Sequence, residues 1–177
     1  MTEKNDTSML TEKYIFRNIR QEEIAQTSEI EKICFPPHEA CSYEHMEERV
    51  KKAPELFLVA EDRATGKIAG FLNGLAADRE HLTDDFFTDA EIHDPKGKNI
   101  MLLGLDVLPK YQHQGLAREL VRCYKEREKV NGREKLILTC LPDKVEMYQK
   151  FGFKDHGIGD SVWGGEAWHE MSVELWG

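Results

Sequence analysis

From Tyr14 to Arg20 apolar residues (Tyr14, Ile15, Phe16, Ile19) are interleaved with Arg17 and Asn18, and this alternation predicts a first strand. Ile24, Ile30, Ile33 and Cys34 then recur near helical spacing as far as Pro36-Pro37, where two residues unable to donate to the helix ladder end the element. Ser42 offers an N-cap to a second, shorter helix, Tyr43 to Lys52, with Tyr43, Met46 and Val50 on one face. Leu56 to Ala60 and Lys67 to Leu75 are apolar runs joined by Asp62-Arg63-Ala64-Thr65-Gly66, which predicts an antiparallel hairpin. The polar stretch Ala77 to Lys98 reads as a long functional loop. Ile100 to Val107, apolar almost throughout, fits a central strand covered on both faces. A helix from Gly115 to Val130 follows, with Leu116, Leu120, Val121 and Tyr124 inward. The remaining elements are a strand Lys135 to Cys140, a helix Lys144 to Phe151, and two strands around Phe153 and from Ala167 to Leu175. The order is β-α-α-β-β-β-α-β-α-β-β, an α/β domain over 14–177 preceded by a polar tail, 1–13, expected to be flexible.

Composition agrees with one globular unit: 40% of the 177 residues are hydrophobic, with 13 glycines besides. No apolar run approaches the roughly 18 residues of a membrane span. The start, Met1-Thr2-Glu3-Lys4, lacks the basic and apolar regions of a signal peptide, so a cytoplasmic location is expected. The 24 basic and 33 acidic residues give a net charge of -9, which argues against a nucleic-acid partner and favours small cations such as amines. Cys34, Cys41, Cys123 and Cys140 form no C-x-x-C pair and no zinc-finger spacing with histidines, so free thiols and no metal are expected.

The chemistry concentrates in Leu105-Asp106-Val107-Leu108-Pro109-Lys110-Tyr111-Gln112-His113-Gln114-Gly115-Leu116-Ala117-Arg118, where a strand breaks at a proline and re-enters a helix through a glycine. Unpaired amides and the positive end of the helix dipole make such a turn an anion site, and Gly115 and Ala117 keep its floor low. No G-x-x-x-x-G-K-[ST] and no strand-borne G-x-G-x-x-G competes with it.

Gln112-x-x-Gly115-x-Ala117, followed a helix and a strand later by Met147-Tyr148-Gln149-Lys150-Phe151-Gly152-Phe153, resembles the GCN5-related N-acetyltransferase (GNAT) superfamily. The resemblance implies a single GNAT-like domain with a central mixed seven-stranded sheet flanked by helices. It implies acetyl-CoA as co-substrate, its pyrophosphate held by the turn amides, with Leu105, Asp106, Val107, Gln112, His113, Gln114, Gly115, Leu116, Ala117 and Arg118 as the cofactor-binding set. Tyr148 would stand near the thioester sulfur and donate a proton to the departing thiolate. Within the superfamily, Glu29 to Phe35, Pro54 to Leu56, Asp78 to Leu82 and the tail from Trp163 to Leu175 look like the arylalkylamine (serotonin) N-acetyltransferases, in order. By that likeness Phe35, Pro36, Met101, Leu103, Trp163 and Trp168 line the amine pocket.

Three positions depart from the pattern. The vertebrate arylalkylamine enzymes carry a histidine pair where this chain has Met101 and Leu103, so the expected proton acceptor is absent. An alkylamine with pKa about 10.4 is neutral in roughly one molecule in 2,500 at pH 7, a deficit of about 4.6 kcal/mol. His38, Glu39, His81, Asp106 and Glu166 are candidates to take the proton through water. Glu166 also replaces an apolar pocket residue, which leaves room for a polyamine-like substrate. The expected activity is an acyltransferase making direct transfer from acetyl-CoA to a small primary amine, by a chain acting as a monomer or homodimer. The alternative is an acetyl-CoA-binding sensor that lost catalysis along with its base.

Overall fold

A computed structural model describes residues 9–176. The strands are β1 (Tyr14–Asn18), β2 (Phe57–Asp62), β3 (Ile68–Ala77), β4 (Asn99–Val107), β5 (Lys135–Cys140), β6 (Lys154–Ile158) and β7 (His169–Glu174). The helices are α1 (Ile24–Cys34), α2 (Tyr43–Lys52), the one-turn α3 (Asp85–Thr88), α4 (Leu116–Val130) and α5 (Val145–Lys150). They build one seven-stranded sheet in the order β1-β2-β3-β4-β5-β7-β6. Every neighbouring pair is antiparallel except β4 and β5. The expected mixed α/β sheet and its element order are present, with α3 added inside the long loop.

Alternation along the strands sorts two cores onto the two faces. In β2, Leu58 and Ala60 join the larger core under α4, while Phe57 and Val59 join the smaller one under α1 and α2. All ten residues of β3 are buried because it is covered on both faces, whereas the edge strand β6 has no fully buried residue. Leu116, Leu120, Val121 and Tyr124 of α4 all face inward, each about 2% exposed or less. Burying four such side chains supplies on the order of 1.5–3 kcal/mol each.

Ser42 caps α2 as expected, its hydroxyl accepting from the His45 amide at 3.1 Å, a contact typically worth about 1 kcal/mol. Ile33 and Tyr43, placed inward by periodicity, are instead exposed, because both lie at the ends of the buried arcs of α1 and α2. The inner face of α1 carries Thr27, Ser28 and Glu31 between its isoleucines.

The segment expected as a tail divides. Residues 1–8 lie outside the described residues, while residues 9–13 are helical and Leu10 is buried in the larger core. All four cysteines are free.

Candidate active site

The site begins with an irregularity in β4. Asn73 opposes Gly104 and Gly74 opposes Leu102, so Leu103 is an extra residue without a partner on β3, a β-bulge. β4 pairs with its parallel neighbour β5 only from Asn99 to Met101, against Lys135 to Ile137. Beyond that point β4 stays with β3 and β5 stays with β7, so the two strands part. A wedge opens in the middle of the sheet, with Leu103, Gly104 and Leu105 along one side.

At the end of β4 the chain makes a 3-10 turn over Pro109–Tyr111, then the turn 112–115, and enters α4. His113 (φ 62°) and Gly115 (φ 83°) are left-handed. The turn is braced from three sides. The Gln112 side-chain amide donates to the Val107 carbonyl at 2.9 Å, and Gln114 Oε1 accepts from Lys13 Nζ at 2.9 Å and from the Tyr14 hydroxyl at 3.2 Å. Tyr111, which precedes the turn, donates to buried Asp62 at 2.8 Å. None of the backbone amides from 113 to 117 donates to a described residue, and the first helical bond runs from Glu119 N to Gly115 O. The turn is exposed from Gln112 to Gly115, and a Cβ at Gly115 would meet only Leu10 Cδ1, at 4.0 Å. Gly115 is therefore demanded by its φ and by open approach to the amides, not by protein packing. Free amides at the head of a 15-residue helix are the geometry that suits an anion. Leu116 is buried beneath it, Ala117 is half-buried and Arg118 is exposed.

Tyr148 stands on α5, half-buried at the rim of the larger core, edge-on to Phe151 (6.0 Å between centroids) and Phe153 (5.7 Å). Gly152, at φ 97°, turns the chain at the end of α5 so that Phe153 enters the core. The Tyr148 hydroxyl has no hydrogen-bond partner among the described residues. Burial raises its pKa above the ordinary tyrosine value, and Cys140 on β5 and Asp106 on β4 are its titratable neighbours. It is a neutral donor set close to both strands that part.

The aromatic residues expected around the amine gather at one end of the wedge. Trp163 stacks on Phe87 of α3 at 5.0 Å, and its indole N–H donates to the Glu39 carbonyl at 2.8 Å. Trp168 donates to the Trp163 carbonyl at 2.7 Å. Gly164 lies so close to the α1–α2 loop that a Cβ would come within 2.6 Å of the His38 carbonyl. The β6–β7 loop is thereby laid on the α1–α2 loop, which carries half-buried Phe35 and exposed Pro36. Leu103 is at the opening, whereas Met101 is fully buried where β4 and β5 are still paired, so it belongs to the core and lines no surface.

The five candidate proton acceptors are distributed over three places. His38, Glu39 and Glu166 come together, with His38 Nε2 at 3.3 Å from Glu39 and 3.7 Å from Glu166. Their ligand atoms all fall within 4.8 Å of one another, the one such group of three among the described residues. Burial, and then Glu166, raise the Glu39 carboxyl. His81 is held by Glu170 at 2.8 Å, and the same carboxylate accepts the Leu82 amide at 2.9 Å. That pin, with Leu82 and Phe86 fully buried, gives the 77–98 loop a fixed path.

Asp106 is elsewhere: its carboxyl is not at the turn but under α1, fully buried beside Glu31. Glu31 Oε2 accepts the Cys41 amide at 3.0 Å. Glu31 Oε1, both Asp106 carboxyl oxygens and Asn73 Oδ1 are buried without a hydrogen-bond donor. Burial, followed by the charge of Glu31, raises the Asp106 carboxyl well above the ordinary range. Glu31 and Asn73 were not singled out by sequence, although Glu31 falls seven residues after Ile24 and so on the inner face of α1.

A family model described as Acetyltransferase (GNAT) family matches residues 24–153, which include α1, the wedge, the 112–115 turn and Tyr148. The chain belongs to the GNAT family. Among GNAT structures, the loading GNATL domain of CurA from Lyngbya majuscula superposes with a TM-score of 0.78 at 17% identity, covering 92% of this chain and 98% of that one. The structure of yncA from Salmonella typhimurium with acetyl-CoA gives 0.63 at 15% identity over 92% of this chain and 94% of that one. In sequence, "Probable hydrolase YhcX" of Bacillus subtilis (strain 168) is 28% identical over 158 residues, which is 85% of this chain. The chain spans only 30% of that relative's length. Among the described residues no helix is long and apolar enough to cross a membrane.

Proposed function

We propose that the protein transfers the acetyl group of acetyl-CoA to a small primary amine by direct attack in a ternary complex. The reading is carried by the run of amides from 113 to 117 at the head of α4, which donate to no described residue. The backbone of Leu105 to Val107, with the Asp106 side chain turned away under α1, and the turn from Gln112 to Arg118 would bind the cofactor, its pyrophosphate on the amides and its pantetheine arm along the β4 edge that β5 leaves open. The amine would enter from the end where Phe35, Pro36, Leu103, Trp163 and Trp168 lie. An aromatic wall beside the Glu39 and Glu166 carboxylates suits a cation that carries apolar bulk, an arylalkylamine or a polyamine-like molecule. The cytoplasm, monomer or homodimer, remains the expected setting.

Neutral amine attacks the thioester carbonyl carbon, and collapse of the tetrahedral species expels coenzyme A as a thiolate. A thiol with pKa near 8.5 is a stronger acid than Tyr148, whose burial pushes it further up from about 10. Tyr148 would therefore steady the departing sulfur by a hydrogen bond rather than surrender its proton outright.

The test is release of free thiol from acetyl-CoA with tryptamine, phenethylamine, spermidine and lysine-containing peptides. Amine-dependent release with at least one of them is expected. Calorimetric binding of acetyl-CoA with no release for any amine would instead favour the sensor.

A further inference from the structure

The buried Glu31 and Asp106 side chains meet in a way that two carboxylates cannot. They lie in contact between α1 and β4, 4% and 0% exposed, and no described donor reaches Glu31 Oε1 or either oxygen of Asp106. Two ionised carboxylates so placed would repel in a medium that screens poorly, whereas one proton between them makes a hydrogen bond and halves the buried charge. Glu31 is held as the acceptor by the Cys41 amide on its other oxygen. Asp106, with no such donor, is the partner that holds the proton.

The pair adjoins the wedge at Gly104, the residue after the bulge. A Cβ built on Gly104 would have as its three nearest neighbours Asp106 Oδ1 at 3.1 Å, Asn73 Nδ2 at 3.3 Å and Glu31 Oε1 at 3.6 Å. All three are polar. With no Cβ at 104, no side chain stands between the wedge and these three polar atoms, and a water there could donate to both carboxyls and accept from the Asn73 amide, whose other N–H reaches the Gly104 carbonyl at 3.4 Å.

We propose that Glu31 and Asp106 share one proton and, through a water beside Gly104 and Asn73, accept the proton that the amine must lose before it attacks. The proposal rests on the acetyltransferase reading and supplies the acceptor that Met101 and Leu103 cannot. An ammonium group gives one proton through the water to the pair, which becomes neutral, the form that burial favours. The freed nitrogen lone pair forms the C–N bond, and the C–S electron pair leaves with sulfur. The nitrogen's second proton passes to the thiolate, giving the free thiol, and the pair then returns its extra proton to solvent. The groups that face the pair are the Cys34 and Cys41 thiols, the latter within the field of buried Arg49 on α2, with Asn73 on β3 and Tyr148 on α5.

Asp106→Asn preserves shape, and its amide can still donate to Glu31, so the variant should fold. The infrared carbonyl stretch of a protonated carboxyl, recognised by its shift in heavy water, is expected in the wild type at neutral pH and should be missing from D106N. Its absence from the wild type overturns the shared proton. In kinetics, take whichever amine of the panel the wild type acetylates, and its β,β-difluorinated counterpart, whose weaker basicity leaves it largely neutral. D106N should lose roughly a hundredfold in kcat/KM on the parent amine and less than about threefold on the fluorinated one. Gly104→Ala, which sets a methyl group against both carboxyls and the Asn73 amide, should follow the same pattern. Equal losses on both amines would make the pair structural only, and no loss on either would also overturn the role. A wild type that releases no thiol with any amine fails the acetyltransferase reading and the accepting role with it, while the infrared band still decides the shared proton.

Discussion

Tyr148 illustrates how little a residue's type says about its service until its surroundings are known. A tyrosine on a helix one turn before a glycine ordinarily fills a core, and its ring does so here against Phe151 and Phe153. What separates it from a packing residue is the hydroxyl, which finds no partner among the described residues while Tyr14, Tyr111 and Tyr124 each donate to one. Tyr148→Phe keeps the ring contacts and removes only that donor. The expected outcome in steady-state kinetics is a fall in kcat of about tenfold to a hundredfold, with acetyl-CoA affinity in calorimetry unchanged. Wild-type kcat in the variant would return Tyr148 to the core alone.

At the scale of elements, α4 owes its place to its apolar stripe and its proposed service to its first turn. The stripe anchors the helix on β2 to β4, and the turn before it presents five amides that no described residue uses. Gly115→Asp should damage both the φ of 83° and the anion site, by strain of about 1–2 kcal/mol and by adding negative charge where the phosphates would lie. Acetyl-CoA affinity measured by calorimetry should fall at least tenfold, while circular dichroism shows the fold retained. An unchanged affinity would move the cofactor away from this turn. The long loop from Ala77 to Lys98 owes its path to Glu170 on β7, to the burial of Leu82 and Phe86, and to the stack of Phe87 on Trp163. A polar segment with two adjacent phenylalanines reads as a loop along the sequence. That Phe87 meets Trp163 was invisible there, because its partner lies far along the chain.

For the whole molecule, the buried pair sets a pH dependence of stability whose sign follows from linkage. The folded state holds the Asp106 proton more tightly than the unfolded chain does, where an aspartate titrates near 3.9. Its contribution is complete below that value and is lost as pH rises through the folded-state range. Asp106→Asn has no such loss, so its unfolding midpoint should gain on the wild type as pH rises from about 4 toward neutrality and above. Thermal unfolding of the two proteins across pH measures the difference, and a constant offset would mean that Asp106 is not protonated in the fold. Differencing the two proteins cancels the opposite trend of Asp62, Asp85 and Asp155, whose carboxyls are lowered by their partners and favour folding as pH rises.

Element type and order were legible in the sequence because they rest on local rules: a period of two in β1, a stripe on α4, prolines after α1 and a serine before α2. The Gln112-x-x-Gly115-x-Ala117 turn was legible for the same reason, since a left-handed glycine before a helix is a local demand. Side-chain destinations at the ends of helical arcs were not, and Ile33 and Tyr43 went to solvent. Nor was the depth of Met101, which depends on where β4 and β5 part. Only the tertiary structure could bring Glu31 to Asp106, or His38 and Glu39 to Glu166, because each contact joins segments whose separation carries no sequence period. A polar residue on a buried face is visible as an exception to the pattern; the group that answers it is chosen by the packing of the whole sheet.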